Sequence, residues 1–216
     1  MVVNLSASCS LVSNWVTELR DVTVQQDRMR FRRNLERIAE VIGYEISKKM
    51  SSTEKNIHTP LAPTTVKVLA AQPVLATILR AGLPMHNGLL NYFDHADNAF
   101  LSAYRKHHAD GSFDISLEYM SCPELKDRVL IISDPMLATG ASLVKAIEHL
   151  KAVGSYSELH ICCAIACAPG IAHVEKAFPE ATIWCGAIDE QLTDKGYILP
   201  GLGDAGDLAF GEKIQH

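Results

Sequence analysis

An α/β fold with a mostly parallel central sheet flanked by helices is predicted by two observations. Apolar runs of strand length recur at Val74 to Leu79, Ala99 to Tyr104, Val129 to Ile132, Glu158 to Ala166 and Ala181 to Ile188. Such runs suit strands buried on both faces. Most are separated by stretches of helical periodicity, and alternating strands and helices make a parallel sheet with right-handed crossovers. The 216 residues suffice for one domain with a full core.

Composition narrows the class. Apolar residues make up 48% of the chain and charged residues 21%, as in an ordinary soluble globular protein. The net charge of −5 gives no overall electrostatic reason to bind nucleic acid. No apolar run approaches the roughly 18 residues that span a bilayer, and Met1 to Ser13 lacks the Lys or Arg that opens a signal peptide. The six cysteines form neither a metal grid nor a disulfide grid. Cys162, Cys163 and Cys167 fall in an apolar stretch, as expected of reduced core thiols in the cytoplasm.

Taken in order, Val24 to Met50 reads as one long helix, with Phe31, Leu35, Ile38, Ile42 and Ile46 on one stripe. Its first turns carry Arg28, Arg30, Arg32 and Arg33, whose charge opposes the helix dipole. Simple solvation accounts for such charges; a subunit contact or an anionic ligand is the sharper alternative. Thr59 to Pro63 is loop. The strand Val74 to Leu79 meets Arg80-Ala81-Gly82-Leu83-Pro84 at once. Proline suits the first turn of the next helix, which continues through Met85, Leu89, Leu90 and Phe93.

The strand from Ala99 ends in Tyr104-Arg105-Lys106-His107-His108, and a turn at Ala109 to Ser112 leads to Ile115, Leu117 and Tyr119 in alternation. Residues 99–121 thus read as a hairpin arm tipped with positive charge. It either closes over an anionic substrate or is a charged hairpin without a role. After the strand Val129 to Ile132, helical spacing resumes at Leu143, Val144, Ile147 and Leu150, with Gly154 as a stop. A helix from Pro169 to Phe178 lies between the last two strands, and Trp184 is assigned to packing.

The connection Asp134-Pro135-Met136-Leu137-Ala138-Thr139-Gly140-Ala141-Ser142 carries chemistry. Ligands of open parallel sheets bind beyond the carboxyl ends of the strands. The turn from Ala138 to Ser142 would present backbone N–H groups at a helix N-terminus, which favours an anion. Thr139 and Ser142 add hydroxyls, and Gly140 lets the backbone approach closely. Asp134 suits sugar hydroxyls, so a phosphorylated sugar is the indicated ligand. On turn chemistry alone, an ordinary strand-to-helix connection remains open. Arg80, beside two small residues at another strand's end, can hold a second anion, although alone it would suit a surface ion pair.

Gly201, Gly203 and Gly206 match G-x-G-x-x-G literally. A dinucleotide site needs a preceding strand, a following helix and a later acid, and the chain ends too soon for that reading. Four glycines and a proline in Gly196 to Asp207 instead imply a rigid irregular loop, able to read a pyrimidine through main-chain groups. Asp204 could meet sugar hydroxyls or a cation. A structural glycine-rich tail is the plain alternative.

These pieces, Ile78 to Leu83, Tyr104-Arg105, Asp134 to Ser142 and Gly196 to Asp207, together resemble the uracil phosphoribosyltransferases, in order and spacing, over the chain after about Val24. The resemblance implies a type I phosphoribosyltransferase fold with a small hood over the site: a single domain of residues 1–216, with an N-terminal extension 1–23, the arm 99–121 and a hood loop 189–216. It implies transfer of the phosphoribosyl group of phosphoribosyl pyrophosphate (PRPP) to uracil, giving UMP and pyrophosphate with Mg2+.

By matching position, Asp134 to Ser142 bind the ribose phosphate, and Arg80 and Arg105 contact the diphosphate. Ile198, Gly203 and Ala205 read uracil, chiefly by backbone, and Asp204 meets PRPP or its magnesium. Arg80, Arg105, Asp134 and Asp204 are the expected catalytic group. A GTP effector and a homodimer or higher homo-oligomer belong to the same expectation. Departures are Pro135 in place of a second acid, Ala141 where glycine is frequent, and an arm without Glu-Thr-Leu-Glu-Pro. Two rivals stay open: a phosphoribosyltransferase for another base, and an RNA-binding pyrimidine regulator on the same fold.

Overall fold

The computed structural model describes residues 1–107 and 113–213, with the side chains of residues 103–118 outside that description. The predicted tip of the arm at residues 108–112 therefore lies outside the described residues. The chain opens with β1 (Val2–Asn4) and α1 (Leu11–Arg20), followed by α2 (Arg28–Ser47). A separate hairpin of β2 (Ser52–His58) and β3 (Pro63–Leu69) comes next, then β4 (Val74–Leu79), α3 (Leu83–Leu90), β5 (Asp97–His107) and β6 (Phe113–Ser121). The second half runs through β7 (Val129–Ser133), β8 (Met136–Leu137), α4 (Ala141–Val153), β9 (Glu158–Cys167), α5 (Ala168–Ala177) and β10 (Thr182–Asp189). It ends in β11 (Gln191–Leu192), β12 (Ile198–Leu199) and α6 (Ala205–Phe210).

The main sheet has the order β1-β10-β9-β7-β4-β5-β6, with β8 added beside β9. Its pairings are parallel except for β5 with β6. Alternation along β7 divides the core. Ile131 packs on the side of α1, α2 and α3, whereas Leu130 and Ile132 pack on the side of α4 and α5. Successive strand side chains point to opposite faces, so an unbroken apolar run is what a sheet covered on both sides requires. Leu130, Ile131 and Ile132 are all fully buried, each stabilising the fold by about 1.5–3 kcal/mol. Trp184 and the thiols Cys162, Cys163, Cys167 and Cys185 are also core. No described helix is long and apolar enough to cross a membrane.

Several expectations are corrected. The long helix starts at Arg28, not Val24, because the Asp27 carboxylate accepts the Arg30 N–H at 3.0 Å and ends the preceding turn. The arginine cluster has partners within the chain. Arg30 forks onto Glu18 at 2.6 and 2.9 Å, Arg33 meets Glu36 at 2.7 Å, and Arg32 donates to the Ala209 carbonyl at 2.7 Å. Residues 1–23 supply β1 at the sheet edge and α1, whose Val12, Val16 and Leu19 are buried. Pro63 is the first residue of β3, not loop, and Gly196 to Asp207 contains β12 and the start of α6 instead of being irregular throughout.

Candidate active site at the carboxyl ends of the central strands

Parallel register brings the ends of β4, β7 and β9 together: Thr77 pairs with Ser133, and Ser133 with Cys162. The Ser133 hydroxyl donates to Thr77 Oγ1 at 3.0 Å, and Thr77 Oγ1 donates to the Ser133 carbonyl at 3.2 Å. This polar stitch lies in a fully buried place. Over it folds the Arg80-Ala81-Gly82 turn, whose Gly82 N–H donates to the Ile78 carbonyl at 2.9 Å. A Cβ on Gly82 would stand 2.2 Å from Thr77 Oγ1 and 2.8 Å from the Ser133 carbonyl. Only glycine permits that approach. The Leu79–Arg80 peptide is cis.

Asp134 follows Ser133 directly, its N–H donating to the Cys162 carbonyl at 3.1 Å. Asp134 is half-buried as a residue. Desolvation pushes its pKa up to about 7, opposed by the Met136 N–H at 3.5 Å. Next the chain stays beside β9. The Pro135 carbonyl accepts from Ala164 and Ile165 N–H at 3.1 and 3.0 Å, and Met136–Leu137 pair with Ile165 and Ala166. This short β8 was not expected; it continues the β7 ladder along the same edge of β9, whose opposite edge is held by β10.

The Ala138–Thr139–Gly140 turn is pinned from α5. The Thr139 carbonyl lies 2.9 Å from His173 Nδ1, and a Cβ on Gly170 would come within 2.3 Å of the Ala138 carbonyl oxygen. Gly140, with φ +78°, is the N-cap of α4 and has no side chain to cap with. The first N–H groups of a helix have no intrahelical partners, so Ser142 and its neighbours keep donors for a ligand. Thr139 Oγ1 takes up the Ala141 N–H at 3.4 Å. The expected turn therefore exists, with the helix beginning at Ala141.

The C-terminal segment closes on the Arg80 turn. Arg80 Nη2 donates to Asp207 Oδ1 at 3.0 Å and to the Gly211 carbonyl at 3.3 Å. A Cβ on Gly206 would be 3.8 Å from the Ala81 Cβ. Arg80 is thus engaged by α6 in this structure. Asp204 caps α6, its Oδ1 accepting the Asp207 N–H at 3.0 Å, with Lys213 Nζ at 3.5 Å from Oδ2. Gly203 is exposed at φ +99°. Ala205 and Ile198 are buried. A cleft of about 310 Å3 flanks this loop, lined by Gln25, Gln26, Arg28, Leu202, Gly203, Asp204 and three residues of the tail. It includes no residue of the β7–α4 turn. Arg105 belongs to β5, opposite Ile115; its side chain lies outside the described residues.

Among the described residues no cluster of three His, Cys, Asp or Glu side chains could cage a metal. Asp204, whose Oδ2 is not used in capping, is a carboxylate in this loop able to share Mg2+ with phosphate oxygens. Sequence reasoning missed His173, Gly170, Arg20, Gln25 and Asp189, all within the support of these loops. For Asp189 a signal existed, an acid at the carboxyl end of an apolar strand, like Asp134. The rest are ordinary helix or linker residues whose role depends on distant partners.

Three loops gathered at the carboxyl ends of a mostly parallel sheet flanked by helices are the architecture of a type I phosphoribosyltransferase fold. The fold is shared by a purine phosphoribosyltransferase from Pyrococcus horikoshii, with TM-score 0.50 and 15% identity over 74% of this chain and 91% of that one. Much greater is the likeness to a solved protein from Aquifex aeolicus, with TM-score 0.88 and 32% identity over the whole of both chains. The uracil phosphoribosyltransferase family model matches residues 6–212. A uracil phosphoribosyltransferase of Porphyromonas gingivalis is 51% identical over 214 residues, covering 99% of each chain. The chain belongs to the uracil phosphoribosyltransferase family.

Proposed function

We propose that this protein transfers the phosphoribosyl group of PRPP to uracil, giving UMP and pyrophosphate. Family membership supports the reaction, and the observation that carries the site is the Arg80–Asp207 contact at 3.0 Å. It joins the C-terminal loop, assigned to the base, to the turn assigned to the diphosphate. Gly82 in turn touches Ser133, one residue before Asp134, so the sugar phosphate and the base fall to neighbouring loops.

In this reading the first-turn N–H groups of α4, with Thr139 and Ser142 hydroxyls, hold the 5′-phosphate. Pro135 to Ala138 and Gly140 to Ala141 shape the floor, and Asp134 accepts from ribose hydroxyls. Peptide groups of Ile198, Gly203 and Ala205 read the uracil edge. As uracil N1 approaches the anomeric carbon, charge develops on the departing diphosphate, and Arg80 and Arg105 stabilise it. For Arg80 this requires leaving Asp207, an exchange of one anion for another. Mg2+ supplies further neutralisation of the diphosphate when bound; Asp204 would hold it through Oδ2, the oxygen not used in capping. The protein's own contribution is positioning two partners and excluding water, with no covalent step on the enzyme. A cytoplasmic homodimer or larger assembly and a GTP effector are part of the same proposal.

The test is direct: radiolabelled uracil, PRPP and Mg2+ are mixed with the protein, with orotate and hypoxanthine as controls. UMP formed from uracil alone is expected; turnover of either control in its place would refute the assignment.

A further inference from the structure

Among the supports of the loops, one arrangement does more than join two elements. Asp189, the last residue of β10, is 7% exposed and lies at the sheet's carboxyl edge. Arg20, the last residue of α1, forks onto it: Nη1 donates to Oδ2 and Nη2 to Oδ1, both at 2.7 Å. Bidentate guanidinium–carboxylate pairs are both strong and geometrically specific. The same two side chains then seize one residue of the C-terminal loop. Arg20 Nη1 also donates to the Gly201 carbonyl at 2.9 Å, while the Gly201 N–H donates to Asp189 Oδ2 at 3.1 Å. Both peptide groups of Gly201 are thus closed into a ring with the ion pair.

A third side chain extends the grip. Gln25, 7% exposed, donates through Nε2 to the Leu19 carbonyl at 2.9 Å and to the Arg20 and Leu202 carbonyls at 3.2 Å. The carbonyls of Gly201 and Leu202 are therefore both occupied by donors from the α1–α2 region. At Gly203 the main chain becomes exposed. Gly201 itself has no steric slack, since at φ +57° a Cβ would lie 2.2 Å from the Ile198 carbonyl oxygen.

We infer that Arg20, Asp189 and Gln25 are positioning residues for the base: they fix the peptide planes of Gly201 and Leu202, and so set where Gly203 to Ala205 present their main-chain groups to uracil. A pair serving only to fasten α1 to β10 would have no use for both peptide groups of a loop residue. Main-chain recognition is only as selective as the backbone is rigid, because a carbonyl that rotates freely can satisfy the wrong ring edge equally well. The inference rests on the reading of this loop as the uracil site given above.

The experiment measures initial rates against uracil and against PRPP separately, for wild type, Arg20→Lys and Gln25→Met, with thermal midpoints alongside. Lysine keeps the charge but cannot span three acceptors, and the expected result for Arg20→Lys is a uracil KM raised on the order of tenfold, with kcat and the PRPP KM within about twofold. Gln25→Met, close in volume, frees the Leu202 carbonyl of the loop, along with the Leu19 and Arg20 carbonyls at the end of α1, and should raise the uracil KM by about threefold, with PRPP unaffected. Should Arg20→Lys not fold, the glutamine variant decides. An unchanged uracil KM, or one that rises in step with that for PRPP and a falling midpoint, would overturn the inference. If wild type itself makes no UMP, the assignment of the loop fails first and the positioning role falls with it.

Discussion

Replacing Gly170 by alanine tests the phosphate loop without touching a residue that meets substrate. Gly170 lies in the first turn of α5, and its added methyl carbon would stand 2.3 Å from the Ala138 carbonyl oxygen and 3.0 Å from that of Leu137. A relaxed carbon–oxygen contact is about 3.3 Å, so the turn has to retreat by about 1 Å. Both sides of the clash are backbone, and no side chain can swing away to absorb it. Displacement of that size at a site built on position costs about 10²-fold in rate, or about 2.7 kcal/mol in transition-state binding. Helix propensity acts in the opposite sense, since alanine is favoured over glycine within helices by up to about 1 kcal/mol. The variant should therefore stay folded while kcat/KM for PRPP falls about 100-fold. Gly154→Ala is the control: its Cβ would meet only Leu125, at 3.5 Å. Wild-type kcat/KM in Gly170→Ala would show that the turn is not held where the structure has it.

Further outcomes follow from the same geometry. The carboxyl of Asp134, raised from 3.8 to about 7, keeps its proton in the folded free protein where the unfolded chain has lost it. This group therefore makes stability fall as pH rises from about 4 to about 7 and is level above that; subtracting the urea midpoints of Asp134→Asn from those of wild type across this range should isolate the slope, and a flat difference would contradict it. With ionised Asp134 as the acceptor for ribose hydroxyls, kcat/KM for PRPP should climb through an apparent pKa near 7, a limb that Asp134→Asn should lack. Arg105→Ala should lower kcat by a factor on the order of 10²–10³ if its charge acts on the departing diphosphate; steady-state rates at the wild-type level would remove it from the mechanism. Leu89→Ala, in the fully buried face of α3, should cost about 2–5 kcal/mol in urea unfolding, and a loss below 1 kcal/mol would mean that the helix is less tightly packed than described.

Legibility differed sharply between elements. The runs Val74 to Leu79 and Val129 to Ile132 were plain because both faces of their strands are covered, which leaves no polar alternation to confuse the pattern. Gly154 ended α4 as expected. By contrast β1 has only three residues, and its partner, β10, lies near the other end of the chain. The β2–β3 hairpin is almost wholly exposed, so its composition, Ser-Thr-Glu-Lys-Asn-Ile-His, carries no buried stripe. The start of α2 was placed four residues early because Val24 and Gln25 continue the helical spacing, whereas the Asp27 cap decides the boundary.

The order of residues alone was enough to pick out the separate loops: an acid after an apolar strand, small residues before a helix, an arginine at a second strand's end, glycines near the tail. Each of these is a local property of a few consecutive side chains. Their assembly is not local. That Arg80 should reach Asp207, that Gly170 should admit the Ala138 carbonyl, and that Arg20 and Asp189 should grip Gly201 depends on strand register and crossover path. Those are settled by the burial of the whole core, through contacts between residues that lie in different elements of the chain, and no local pattern of side chains contains them.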